Sequence, residues 1–502
     1  MGRPYFIPAP TGGLNTRDPL LTMPETDAQT LDNMICEPGY VRFPGPVSPF
    51  CDTGAGDVET LRALRLESGS EVLLAIASDN KFWQIDTGTP ADRSATYDAT
   101  AAMTESYWQT CVYRHRIFGC NGVDRPFAWT GSGDVQLAAF TGPASNATKL
   151  IGVQPYKSRL YFVEKANASY WYTTNVDAVT GALVEVPMDS LLHLGGYFAF
   201  AGSSSNRLGD ASAELFVLFS TEGEVLIYQG RFPGDASWSI VGRYFLPKPL
   251  CHRCYCYIDN KLYLITRQGP IGIHELLSGV NPCDPFQLES GKVQQAFIDA
   301  AVAQSATFET YKHCSGVHHK GKNYAVFTVP TVTSFPDLYV VNTTTRAWSR
   351  IFDPQGYCWE VFGEALYYGA SGGAVGKFDL PINTAQASQA NLFYIKHANS
   401  FLGNAKSSKK VTLIQPLFSV DSNSSSSDVI EYGADFDLSP TSTLNSHMFN
   451  YTSTTSFQKP ILPLVGDGKS VAVRLELDSV SDDLDFRYYG SWVQVEDSGG
   501  IA

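Results

Sequence analysis

Four groupings in this chain carry residue types that do chemistry, and each has a testable spacing. Gly369-Ala370-Ser371-Gly372-Gly373 fits the G-x-S-x-G pattern of a nucleophilic serine, which requires a sharp strand-to-helix elbow. Its flanks, Tyr367-Tyr368 and Val375-Gly376-Lys377-Phe378, read instead as strand, tight turn, strand. Gly466-Asp467-Gly468-Lys469-Ser470 matches the end of a phosphate-binding loop, but Pro463 stands where its first glycine belongs and a strand pattern follows. Both are read as turns.

Cys251-His252-Arg253-Cys254-Tyr255-Cys256, with Cys283, His313, Cys314, His318 and His319 downstream, offers soft ligands for zinc. A tetrahedral site needs two converging pairs, whereas strand alternation puts Cys254 and Cys256 on one face and Cys251 on the other. Buried structural thiols are the expectation. Ten cysteines in 502 residues are too few for a disulfide scaffold, so they are read as reduced. Asp435-Phe436-Asp437 and Asp482-Asp483-Leu484-Asp485 lack the spacing of a calcium loop and are read as solvated turns. A glycosidase pair of carboxylates, some 5 to 9.5 Å apart, can come from distant segments, and no short motif argues for it. The sequence therefore nominates no catalytic, cofactor-binding or metal-ligating residue.

What must position any site is an all-β scaffold. Aromatic residues form 13 % of the chain, and 43 Gly and 28 Pro punctuate it, a profile of many short strands joined by turns. Residues 1–57 are rich in Pro and Gly and are expected to run as an extended arm against a partner surface. One helical stretch is expected from Pro24 to Met34, with Thr22 and Glu25 as a capping box.

From 58 to 394 a turn-plus-strand unit recurs seven times, with charged turn residues Lys81, Arg116, Arg159, Glu224, Lys261, Lys322 and Glu364. Their spacings are 35, 43, 65, 37, 61 and 42, and four of the six lie near the roughly 40 to 50 residues of a propeller blade. An irregular β-propeller of six or seven blades is the expectation, since a ring of blades covers the faces a single small sheet leaves bare. A row of unrelated hairpins in a sandwich or open sheet is the alternative. The long gaps are assigned to insertions, Tyr170 to Gly209 and Gln268 to Glu309, the latter with a helix from Gly291 to Ser305. Residues 395–502 read as a C-terminal β-rich unit, sandwich-like or completing a last blade.

The formal net charge is −14, and the densest basic run is Lys406 to Lys410, with three lysines in five residues. That argues against gripping nucleic acid phosphates and is compatible with a surface along which DNA slides. The N-terminus shows no apolar signal core, and no run approaches 18 apolar residues, so neither signal peptide nor membrane span is expected.

Gly12-Gly13-Leu14-Asn15-Thr16-Arg17-Asp18-Pro19, Met23-Pro24 and Leu31-Asp32-Asn33 resemble the N-terminus of bacteriophage tail proteins. So do the runs Gly119 to Pro126, Lys157 to Lys165, Ser220 to Gly230 and the terminal Glu496 to Gly500. Together they resemble the nozzle, or tail hub, proteins of short-tailed phages. The resemblance implies a propeller with accessory β domains, a homo-oligomeric and hexameric ring beneath the adaptor (connector) proteins, contacts to tail fibres or spikes, and passage of double-stranded DNA. It further implies location in the virion tail after assembly in the host cytoplasm. It carries over turns and registers and no functional side chain; Gly122, Gly223 and Gly230 are expected at positive φ. A peripheral tail adhesin or fibre adaptor binding host glycans is the alternative, motivated by the aromatic content, and a propeller glycosidase is the third reading.

Overall fold

The computed structural model describes residues 2–54, 56–142, 147–208, 211–303, 312–331, 336–379, 391–422, 426–438, 445–451, 456–458, 461–479 and 484–500. Its innermost strands form a closed ring: Val58–Arg65, Gln109–Tyr113, Leu150–Tyr156, Phe198–Leu208, Tyr255–Ile258, Ser315–His319 and Cys358–Phe362. From each of these an antiparallel sheet runs outward. Six are small self-contained sheets of three to five strands; the seventh place, between the fifth and last, is filled by the first four strands of a ten-stranded sheet. The result is a β-propeller.

Each blade has both faces covered, so its middle strands are apolar throughout instead of alternating. Glu71–Ala77 reads Glu-Val-Leu-Leu-Ala-Ile-Ala, and every residue after the glutamate is buried. Seven apolar clusters lie between consecutive blades. One joins blades one and two through Leu74, Phe82, Trp108 and Phe127, and another joins the last blade to the first through Cys358, Tyr367, Val58 and Leu73. At about 1.5–3 kcal/mol per large buried side chain, these interfaces are what make the ring stable where a lone blade would not be.

All seven turns expected from the sequence are present, one per blade. Arg114-His115, Lys157-Ser158, Asp259-Asn260 and Gly363-Glu364 have positive φ at both central residues, the conformation whose twist suits a two-residue hairpin. The irregular spacing has two origins. Lys81 and Glu224 begin third strands, whereas the other five mark the hairpin between first and second strands. Spacings into and out of blade four therefore stretch to 65 and shrink to 37 through this change of phase, and within the expected insertion, Tyr170 to Gly209, the described residues 170–208 carry blade strands, Gly209 lying outside the described residues. The 61 gap does hold an insertion, with helices at Ile273–Leu277 and Gln294–Ala303, the second over the expected stretch.

The C-terminal unit is a sandwich. One sheet contains Ser407–Ser422 and Leu484–Gly500, flanked by Arg3–Pro8, Tyr40–Arg42 and Leu462–Gly468. The other contains Asn391–His397, Val471–Ser479 and Ser426–Phe436 and is the outer half of the ten-stranded sheet. Val411, Ile414, Phe418, Phe486 and Tyr488 pack between the sheets against Phe393, Ile395, Val473 and Leu475.

The N-terminal segment is woven into both units. Asp27–Asp32 is a strand, not the expected helix: it lies between Trp348–Ile351 of blade six and Asn391–His397 of the sandwich, so ladder bonds on both sides outweigh the capping-box signal. Arg350 clamps this junction with a two-pronged bond to Asp32, at 2.8 and 3.0 Å. Ser48–Asp52 is the outermost strand of blade seven and pairs with Ala374–Phe378, closing the ring with N-terminal chain. The segment resembling tail proteins is pinned from within: the Asn15 amide donates to Asp27 at 2.7 Å, and Lys292 of the insertion pairs with the same carboxylate at 2.9 Å. Gly122, Gly223 and Gly230 have φ of 76°, 95° and 122°. No helix among the described residues is long and apolar enough to cross a membrane.

Candidate functional site: the propeller axis

The sequence-nominated motifs do not assemble into a site. Ser371 sits on an exposed single turn between Ala365–Gly369 and Ala374–Phe378, with no helix behind it. The backbone N–H groups of Lys469 and Ser470 donate to the Asp437 carboxylate at 2.7 and 3.1 Å, which fills the place a phosphate would take. Asp435 is buried between Lys396 (2.6 Å) and Arg474 (3.4 Å) and so is an internal ion pair, not a solvated turn. Asp485 pairs with Arg487, while Asp482 and Asp483 lie outside the described residues.

Among the cysteines the structure corrects the expected facing. The strand begins at Tyr255, so alternation does not reach Cys254; Cys251 and Cys256 join the core under blades five and six, and Cys254 joins the core between blades four and five. Cys251 donates to the Cys314 carbonyl at 3.2 Å, and burial pushes the Cys256 thiol well above its ordinary value. No group of three or more potential ligands converges among the described residues.

Polar chemistry concentrates instead on the ring axis, where charged residues interrupt otherwise apolar inner strands: Glu59, Arg62 and Glu360, joined by Arg253 from the segment entering blade five. Arg253 reaches across the axis. Its Nε donates to the Trp108 carbonyl at 2.9 Å, one terminal nitrogen to the Glu59 carbonyl at 2.8 Å and the other to the Thr60 hydroxyl, and the guanidinium lies 3.9 Å from the Tyr107 ring centre. Beside it Gln109 of blade two donates to the His252 carbonyl. These bonds tie blades one, two and five together across the axis.

On one side of this brace lies a cavity of about 410 Å³, lined by residues of blades one, five, six and seven including Arg62, Tyr257, Asp259, Lys320 and Glu360. Arg62 and Glu360 form a 3.5 Å ion pair in its wall; burial raises the Glu360 carboxyl, with Arg62 opposing. Another polar cluster gathers Glu59, Glu105, Ser106, Lys312 and His313. Lys312 lies 3.6 Å from Glu59 and 2.7 Å from Glu105, so two carboxylates do meet here from different blades. Burial would raise Glu105, but the Lys312 bond overcomes it and holds this carboxyl below its ordinary value. His313, held down to about 4 by burial and by Arg253 and Lys312, is neutral near pH 7.

The sequence raised His252 and His313 only as possible zinc ligands and nominated none of this grouping, because its residues come from segments up to some 300 positions apart. The available signal was a charge within an inner-strand pattern, as in Val58-Glu59-Thr60-Leu61-Arg62 and Cys358-Trp359-Glu360.

No family model matches this chain, and no curated protein matches it. Solved structures similar to it include the WD40 propeller domain of Doa1, at 9 % identity over 66 % of this chain and 96 % of that one, TM-score 0.40. The computationally designed Ika8 protein is similar at 10 % identity over 70 % and 96 %, TM-score 0.35. An exo-β-1,3-galactanase from Phanerochaete chrysosporium is similar at 7 % identity over 80 % and 98 %, TM-score 0.26. The ring of sheets itself, and not these likenesses, establishes the propeller.

Proposed function

We propose that this chain is a non-enzymatic structural subunit of a short-tailed phage tail, a nozzle or hub protein that assembles as a sixfold ring below the adaptor proteins and anchors fibres or spikes. The reading takes its family from the resemblance of the Gly12 to Pro19 segment and the repeat turns. The observation that supports this role is the bracing at the axis: Arg253 and its partners span the centre of the propeller ring and bind its blades to one another. In this reading the DNA conduit runs between subunits and not through any one of them. Each propeller is a stiff wedge, and a net charge of −14 keeps DNA from adhering to the wall.

The test is assembly. The purified chain is expected to be a monomer alone and to form rings only when mixed with its adaptor ring, because six identical wedges need a template. A stable hexamer without the adaptor, or density for the chain away from the tail axis in virions imaged by cryo-electron microscopy, would overturn the reading.

A further inference from the structure

The outer face of the sandwich carries a hollow whose construction folding alone does not explain. Along Leu484–Gly500 the inward positions are Phe486 and Tyr488, then Val493 and Val495; the phase changes between them, at Gly490 and Ser491. Gly490 has φ of 133°, and a Cβ there would lie 2.6 Å from the Ile7 carbonyl oxygen and 2.7 Å from the Phe6 ring. Without this phase change Trp492 would point into the core; with it the indole faces solvent, 42 % exposed. The neighbouring strand shifts register on either side of Trp492: Leu417 and Phe418 face Gly490 and Tyr488, and Val411 and Leu413 face Val495 and Gln494. Between these two irregularities lies a depression of about 550 Å³, within the rough range of small-molecule sites.

The lining has a definite chemistry. Trp492, with the Phe6 ring tilted against it at 5.0 Å, stands next to the amides of Gln415 and Gln494 and the apolar Leu413 and Ile461. Among the described residues no lining side chain is charged, in a chain of net charge −14. Gln494 lies over Gly2, where a Cβ would meet its Cγ at 2.7 Å, so the arm supports this amide. An exposed ring beside neutral amides matches a pyranose: the apolar face of the sugar packs on indole while amides exchange hydrogen bonds with hydroxyls. An anionic ligand or membrane surface would call for basic residues in the hollow, and a protein partner of opposite charge would find no charge to meet.

We propose that this hollow binds a neutral oligosaccharide, with Trp492 as the stacking platform and Gln415 and Gln494 as hydroxyl partners. The proposal does not depend on the ring reading, because it concerns the sandwich and not the propeller.

The experiment titrates the full-length chain with cellotetraose, maltotetraose and chitotetraose, following tryptophan fluorescence and calorimetry, with Trp492→Ala and Gln494→Ala beside the parent. Saturable binding to at least one of these is expected, weakened at least tenfold by Trp492→Ala and three- to tenfold by Gln494→Ala. Trp492→Ala should still assemble with the adaptor ring, so failure here and failure of the proposed function are separable. Absence of saturable binding to all three sugars would overturn the proposal. So would binding that Trp492→Ala leaves intact, or a concentration-dependent dimer of the parent that Trp492→Ala abolishes.

Discussion

Replacing Arg253 should loosen the ring at its centre, and the structure sets the size of the effect. Arg253→Met keeps the length of the side chain but removes three donors, two of them serving the backbone carbonyls of Trp108 and Glu59 at 2.9 and 2.8 Å. Each charge-assisted bond contributes about 1.5–3 kcal/mol, and the contact with the Tyr107 ring about 0.5–2 kcal/mol. Allowing for rearrangement and water entry, the loss is about 4–6 kcal/mol. At 1.4 kcal/mol per factor of ten, amide hydrogen exchange in Glu59–Leu61 and Trp108–Thr110 should accelerate by about 10³ to 10⁴. Arg253→Lys retains the charge but not the fork, and exchange there should rise by about 10 to 10². Acceleration below tenfold in the methionine variant, or a lysine variant as damaging as methionine, would refute the view that Arg253 clasps blades one, two and five.

Other perturbations follow from other parts of the molecule. Asp379 is buried against Arg42 (3.0 Å), Lys322 (2.9 Å) and the Tyr324 hydroxyl (3.0 Å); burial opposes ionisation, but the two cations overcome it and hold the carboxyl down to about 2. Its stabilisation is thus complete above the ordinary aspartate value near 3.8 and lost as pH falls through about 2, so Asp379→Asn should cost about 3–5 kcal/mol at pH 7 and flatten the acid-unfolding curve in that window, as measured by circular dichroism. His313, held down to about 4 in the fold against about 6.5 when unfolded, makes protons favour the unfolded chain over that interval; unfolding free energies from urea titrations at pH 7 and 4.5 should differ less in His313→Gln than in the parent, by about 2–3 kcal/mol. Gly490→Ala forces a Cβ against the Ile7 carbonyl and should lower thermal stability by more than Gly39→Ala, where φ is 91° but the space is open.

The propeller was legible because its signal is local and repeated: a turn with its charged residue belongs to one blade and reads the same in isolation. What spacing could not convey was phase, since Lys81 and Glu224 sit one strand later in their blades than Arg116 or Lys261, and a phase shift mimics an insertion. The strand Asp27–Asp32 was illegible for a different reason. Its capping-box pattern is a helix signal, and its partners Asn391–His397 and Trp348–Ile351 lie more than 300 residues away. The axial cluster was hidden likewise, being assembled from single charges on separate blades. Trp492 gave no warning, because only the phase change at Gly490 decides whether that ring is core or surface.

The two strands that N-terminal chain contributes at Asp27–Asp32 and Ser48–Asp52 also impose an order in time. Ser48–Asp52 cannot find its place until Ala374–Phe378 has been made, and Arg3–Pro8 waits for Leu484–Gly500. At roughly 5–20 residues per second, Ser48–Asp52 spends about a quarter of a minute to a minute without its partner, and Arg3–Pro8 about half a minute to a minute and a half. Ring closure therefore waits for Ala374–Phe378 and closure of the sandwich for Leu484–Gly500. Until its partner has been made, Ser48–Asp52 is an unpaired segment, the kind of surface that invites pairing with another nascent chain.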